Sequence, residues 1–312
     1  MKPSISVIIP HLNQPQALEA CLGSLYSQTL EHSAFEVIVV DNGSKSMPQG
    51  AVERYPETLL LQEPMPGPGP ARNRGVKSAS ADVLAFIDAD CRAHPDWLAT
   101  ALQAIQSAPV QTLLGGDVQI WRECGTATTA IEAYESVFAY RFKLYIEQHG
   151  FSGTGNLVVR KSDFEDIGPF QDIGVAEDIE WGRRARAAGY NFHYVPEMIV
   201  FHPARRSLQE LYVKWDRHIQ HAVNAGSGNT KWRVQWGLRA LAVLISPIFD
   251  WTKVLTSDRI EGAPARLKAI WVLCAVRSYR AYKMINLLLS NKGVLWNRDS
   301  RILKPDVHND IG

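Results

Sequence analysis

Three short runs, ISVIIP (5–10), FEVIVVD (35–41) and DVLAFID (82–88), are apolar, rich in β-branched residues and almost uninterrupted, and each stops at a proline or an acid. Strands buried on both faces read this way, whereas a strand with one wet face alternates. Between the first two lies PQALEACLGSLYSQ, with Leu18, Cys21, Leu22, Leu25 and Tyr26 at helical spacing. After the third comes PDWLATALQAIQ, with Leu98, Ala101, Leu102 and Ile105 on one face and Pro95 where a helix can begin. TLLLQE (58–63) is a further strand candidate. Strands alternating with helices predict an α/β fold with a doubly wound, mostly parallel sheet. Ligands of such sheets collect beyond the carboxyl ends of the strands. Here those ends deliver His11, Leu12 and Asn13, then Asp41 and Asn42, then Asp88 and Asp90.

The third run ends in two acids on one face. Residues two apart on a strand lie roughly 6–7 Å from each other. At an effective dielectric near 20, two carboxylates at that separation repel by about 2–3 kcal/mol. A divalent cation relieves the repulsion, and Mg²⁺ and Mn²⁺ take oxygen ligands while keeping substrate phosphates in their shell. Such a metal also neutralises the charge that grows on a departing diphosphate. A solvated loop with two incidental acids is the plainer alternative. Further along, LGGDVQIW (114–121), GNLVVR (155–160) and YVPEMIVFH (194–202) read as strands, the last ending in His202. Ser162 and Glu165 have capping-box spacing, and AEDIEWGRRARAAGY (176–190) reads as a helix closed by Gly189.

The ordered set SVIIPHLNQ, VIVVDNGS, GPGPARNRG, FIDAD, GTGNLVVR and AEDIEWGRR resembles glycosyltransferase family 2, over about residues 4–205. The resemblance implies the GT-A fold and an inverting enzyme. Such an enzyme moves a sugar from a nucleotide-diphosphate sugar, UDP-type in most relatives, to an acceptor hydroxyl, using Mn²⁺ or Mg²⁺. It places Pro10 and Asn13 in the loop that approaches the nucleotide. It makes Asp41 the acceptor for the base N3–H, with an Asx turn through Asn42–Gly43 as the structural alternative. Arg72 and Arg74 follow a glycine-rich loop and reach nucleotide or phosphate, although Pro66, Pro68 and Pro70 make this loop stiffer than the usual pattern. Asp90 becomes the direct metal ligand, and Asp88 touches ribose or reaches the metal through water. His202 supplies a third ligand, or is simply a surface histidine. Asp178 is the catalytic base, or only a favourable acid in the first turn of a helix. Glu177 supports the site or binds the acceptor, Trp181 offers a stacking face to a sugar, and Asn156 lines the acceptor side. Arg183 is a weaker pyrophosphate candidate.

The net charge of +1 over 312 residues hides an asymmetry. Residues 1–230 carry 19 Lys+Arg against 26 Asp+Glu, a net of −7, while residues 231–312 carry 14 against 6, a net of +8. This predicts a catalytic domain over 1–230 and a basic, amphipathic helical region over 231–312. That region suits an anionic membrane surface, with packing as a helical appendage as the alternative. The acceptor is then a glycan, or a lipid-linked one, in polysaccharide or cell-envelope assembly. Cys21, Cys91, Cys124 and Cys274 are far apart and form no CxxC, which fits reduced thiols. The run Ile5–Ile9 has the length of a strand and not of a secretory h-region. The expectation is a cytoplasmic protein, peripheral at the inner face of the membrane, with no nucleic acid as partner. A sugar-nucleotide nucleotidyltransferase would carry a glycine- and arginine-rich phosphate loop where this chain reads PHLNQPQ. A non-catalytic sugar- or lipid-binding module would lack a metal acid or the base.

Overall fold

In the computed structural model the described residues are 2–122, 126–172, 176–226 and 232–289. Cys124 and the Gly174–Val175 approach to the AED motif lie outside them. By its contacts the chain divides into two units, one of residues 1–126 and 138–204, the other of 127–137 and 205–312.

Among the described residues the first unit holds eight strands: β1 (Ile5–His11), β2 (Phe35–Asp41), β3 (Thr58–Gln62), β4 (Val83–Ile87), β5 (Arg92–Ala93), β6 (Thr112–Trp121), β7 (Asn156–Arg160) and β8 (Asn191–Pro203). They form one sheet in the order β3-β2-β1-β4-β7-β6-β8-β5. The first four are mutually parallel, whereas β7 runs antiparallel to β4 and β6, and β5 antiparallel to β8. Helices α1 (Pro15–Leu25), α2 (Gln49–Val52), α3 (Pro68–Ser78) and α4 (Trp97–Ser107) alternate with the strands.

The unbroken apolar runs follow from two separate cores. Ile5, Val7 and Ile9 of β1 pack with Leu18 and Leu22 of α1 and Leu98 of α4. Ile8, on the opposite face, packs with Ala71 and Val76 of α3. Each such aliphatic side chain contributes roughly 1.5–3 kcal/mol on burial. Later in the chain come α5 (Ala130–Phe138), α6 (Phe142–Leu144), α7 (Lys161–Ile167) and α8 (Glu177–Ala187). Helix α7 begins one residue before Ser162, so the capping box expected there does not form; Arg160 stands at the N-cap without a side-chain bond.

The second unit is helical: α9 (Leu208–Gly226), α10 (Trp232–Ile245), α11 (Pro247–Leu255) and α12 (Ala263–Leu289). Pro247 has no N–H to continue α10, and a new helix starts there. Trp236, Ala240 and Val243 of α10 meet Ala281 and Met284 of α12 in a buried seam. Glu135 of α5 is buried in the same unit, where it accepts from the Arg205 N–H at 2.8 Å and pairs with the Arg205 guanidinium and with Lys214. On α12, Leu267, Trp271, Cys274, Ser278, Tyr282, Ile285 and Leu289 recur every three or four residues, are exposed, and include no charge. Among the described residues no helix is long and apolar enough to cross a membrane.

Candidate active site

The strand register assembles the rim. His11 ends β1 directly beside Asp41, which ends β2. Asp41 Oδ1 accepts from His11 Nδ1–H at 2.9 Å, and His11 Nε2 accepts the Gln14 N–H at 3.1 Å, so the second contact fixes which nitrogen carries the proton. Asp41 Oδ2 accepts the Gly43 and Ser44 N–H groups at 3.2 and 3.0 Å. Burial alone would lift this carboxyl, but its bonds to Ser44 and His11 outweigh it and hold the group below the usual aspartate range. With Asp41 only 1% exposed, the Asx turn is the arrangement present: Oδ2 serves the loop and Oδ1 the His11 ring of β1.

Asn13, exposed and at φ 55°, accepts the Lys45 N–H on its side chain and donates its own N–H to Ser44. Pro10 is half-buried opposite Val40. The two rim loops are thus bound to each other. Asn42 secures a third by accepting the Gly67 N–H at 2.6 Å and donating to the Glu63 and Met65 carbonyls.

Helix α3 starts after Gly67, whose φ of 126° suits glycine alone, with Pro68 in its first turn. Arg72 points inward and is 3% exposed, while Arg74 is exposed. Arg72 donates from Nη2 to Asp88 at 2.6 Å and from Nη1 to Glu177 at 3.1 Å. Burial works against its charge, but the two carboxylates more than compensate and raise its pKa. Gly155, of the GTGN motif, lies against Asp88, where a Cβ would stand 2.9 Å from Oδ2.

Asp90 has a different neighbour. The short β5 pairs Arg92 with Phe201 of β8, which brings Asp90 to His202, with Oδ2 and Nε2 3.4 Å apart. His202 Nδ1–H donates to the Pro203 carbonyl at 2.7 Å, leaving the Nε2 lone pair toward Asp90. Tyr140, at φ 47°, sets its hydroxyl 3.0 Å from the same ring. Asp90, His202 and Cys91 bring candidate ligand atoms within 4.8 Å of one another. A carboxylate and a neutral imidazole are acceptable ligands for Mn²⁺ or Mg²⁺. Burial, then Asp88 and Asp90, push the Cys91 thiol far up, so it stays protonated and adds no ligand for a hard cation. Burial also lifts Asp90, with His202 opposing.

Asp178 sits in the first turn of α8, where Oδ1 accepts the Ile179 N–H at 2.8 Å. Burial, then the neighbouring Glu177 charge, raise its pKa, while that N–H and Arg72 oppose them. Arg72 therefore joins the DxD turn to the end of α8 that carries the candidate base.

Two expected site residues belong to the core. Trp181 is 1% exposed, packed against Phe164 and Phe170, and donates Nε1–H to the Gly168 carbonyl at 2.9 Å, so no ring face is free for a sugar. Asn156 is fully buried, accepts from Trp97 Nε1–H and donates to the Asp117 and Met198 carbonyls, so its amide is satisfied internally. Arg183 is exposed on α8. The Asp88–Arg72–Glu177 bridge, the His11–Asp41 pair and Tyr140 lie beyond what the sequence pattern indicates. The one signal that points toward the bridge is the Arg72/Arg74 spacing, which puts the two on different helix faces.

The family model described as glycosyl transferase family 2 matches residues 6–168. Glycosyltransferase AglE of Haloferax volcanii is 35% identical over 209 residues, covering 65% of this chain and 68% of its own. The amylovoran biosynthesis glycosyltransferase AmsB of Erwinia amylovora is 27% identical over 212 residues, 63% of this chain and 68% of its own. Among solved structures, the mannosyltransferase PcManGT from Pyrobaculum calidifontis, in complex with GDP-Man and Mn²⁺, superposes with a TM-score of 0.58 at 18% identity, covering 94% of this chain and 88% of that one, and shares the GT-A fold. With the family model matching more than half of its residues, the chain belongs to glycosyltransferase family 2.

Proposed function

We propose that this glycosyltransferase is an inverting enzyme that passes a sugar from a nucleotide-diphosphate sugar, of UDP type, to an acceptor hydroxyl in polysaccharide or lipid-linked glycan assembly. The observation that carries this reading is the contact chain Asp88–Arg72–Glu177, which ties the donor-side acid to the helix end bearing Asp178. Asp178 takes the proton of the acceptor hydroxyl as that oxygen bonds to the anomeric carbon, and the bond to the diphosphate breaks on the opposite side with its electron pair leaving on the diphosphate. A raised carboxyl pKa makes Asp178 a better proton acceptor than an exposed aspartate. Asp90 and His202 would hold Mn²⁺ or Mg²⁺, with Asp88 toward the donor. When bound, the cation supplies neutralisation for the departing diphosphate. Arg74 meets the diphosphate, Pro10 and Asn13 flank the nucleotide, and Asp41 shapes that loop without touching the base. Glu177 stands on the acceptor side.

The second unit supports a cytoplasmic enzyme lying on the inner membrane face. Its α10 and α12 each expose an uncharged stripe, including Leu238, Leu241, Trp271 and Tyr282, on a segment with excess Lys and Arg. The name of the Erwinia relative supports a biosynthetic setting. The test is release of nucleoside diphosphate from a panel of UDP-, GDP- and dTDP-sugars with and without Mn²⁺, and NMR of the product's anomeric configuration. Retention of configuration, or no donor turned over in the presence of glycan and lipid-phosphate acceptors, would overturn the reading.

A further inference from the structure

The second unit gathers arginine that its acids do not balance. Ala240 of α10 and Ala281 of α12 share the buried seam, so their chain neighbours Arg239 and Arg280 flank it. The Arg280 guanidinium lies 3.6 Å over the ring of Trp215 on α9, a stack that fixes its plane. Arg277, one turn earlier on α12, donates from Nη2 to Asp250 of α11 at 2.8 Å, and Asp250 also pairs with Lys253 at 2.7 Å. Arg277 and Lys253 thus share one carboxylate, while Arg280 rests on a ring face.

The Nε–H groups of Arg277 and Arg280 are buried and meet no acceptor among the described residues. A buried donor left unmade costs about 1–3 kcal/mol, and more for a charged group. Burial, with Arg277 and Arg239 nearby, pushes the Arg280 guanidinium down to about 10. An anion between these like charges would relieve both the repulsion and the unmade donors. The guanidinium fork matches the paired oxygens of a phosphate, and its stacked plane leaves its edge as the donor surface.

We infer that Arg239, Arg277 and Arg280 form a binding site in the second unit for a phosphate-bearing anion, separate from the donor site at the sheet rim. Arg280 is two residues, about 200°, around α12 from Ser278 of the uncharged stripe, so the site does not lie on the face assigned to the membrane. The shared ligand chemistry is a phosphate ester, either the headgroup of a single lipid or a water-soluble phosphate.

The test is calorimetric titration of the full chain with inorganic phosphate in EDTA, at ionic strength held constant with chloride. Phosphate should bind, and Arg280→Gln should weaken it by about tenfold, the effect of losing one charge-assisted hydrogen bond. Because Arg280 packs on Trp215, Arg239→Gln, at an exposed position, serves as the second variant and should weaken binding in the same direction. Dihexanoyl phosphatidic acid binding more tightly than glycerol 3-phosphate identifies a lipid source, and equal affinities a soluble one. Absence of phosphate binding by the wild type, or unchanged affinity in Arg239→Gln and in folded Arg280→Gln, would overturn the site and leave Arg280 as packing for Trp215. The readout needs no turnover, so failure of the transferase reading would leave it unaffected.

Discussion

Asp178 answers two demands that oppose each other. As a base it must be ionised, yet burial and the Glu177 charge favour its protonated form. Its folded pKa lies above the unfolded one, so the folded protein binds the proton more tightly. The stability penalty is therefore fully present above the folded pKa and disappears as pH falls through it. Asp178→Asn removes the charge while keeping an oxygen for the Ile179 N–H. Turnover should fall by at least about 100-fold, the scale of general-base assistance, while the melting temperature at neutral pH stays level or rises. Near-normal turnover would remove Asp178 as the base, and a drop in melting temperature would contradict the burial penalty. In wild type, the acid limb of kcat/KM should lie above the range of an ordinary aspartate. Gly155→Ala separates position from charge: its Cβ presses on Asp88 Oδ2 while Arg72 holds the other oxygen, Oδ1. The variant should melt near wild type but show a raised donor KM in initial-rate measurements, and an unchanged KM would mean that Asp88 yields freely.

Helix α3 shows how an element aims a residue. Gly75 lies against Ile8 of β1, where a Cβ would come within 2.5 Å of Cγ2, and this close approach sets the depth at which Arg72 reaches Asp88. Gly75→Ala gains about 1 kcal/mol of helix propensity but overpacks a core contact, at a cost typically of 1–3 kcal/mol. The net expectation is a lower urea midpoint, and a raised one would show that the helix can retreat. The elements themselves were legible: β1, β2 and β4 read as doubly buried because both faces of each are covered by apolar helices. The antiparallel β7 was not legible as antiparallel, because GNLVVR has the same apolar continuity as its parallel neighbours and strand direction leaves no mark on composition. Trp181 and Asn156 were misplaced for a related reason. A polar or aromatic residue inside a family motif reads as functional until its partners, Gly168, Trp97, Asp117 and Met198, are known to satisfy it internally. The DxD acids were readable from their spacing, whereas their separate partners, Arg72 and His202, come from remote parts of the chain and required the fold.

At the scale of the molecule, metal and membrane should answer to different residues. Removing divalent cations with EDTA should abolish transfer, and Mn²⁺ should restore it in wild type but not in Asp90→Ala; activity that persists in EDTA would end the metal assignment. Vesicle binding should be indifferent to both treatments. Residues 232–289 carry 9 Lys+Arg against 3 Asp+Glu, so attraction to anionic lipid adds to burial of the exposed stripes. The two contributions separate by salt. Screening shortens the Debye length from about 10 Å at 0.1 M to about 3 Å at 1 M and weakens only the electrostatic part. In flotation with phosphatidylglycerol vesicles, the wild type should bind at low salt and bind less at 1 M. Leu238→Glu with Trp271→Glu, two exposed positions, should abolish binding at both, because each acid removes apolar area and adds charge repelled by the surface. If the double variant floats as well as wild type, the stripes do not meet lipid and their partner is a protein surface. If both fail to float at low salt, positive charge and apolar area together are insufficient, and the second unit works away from the membrane.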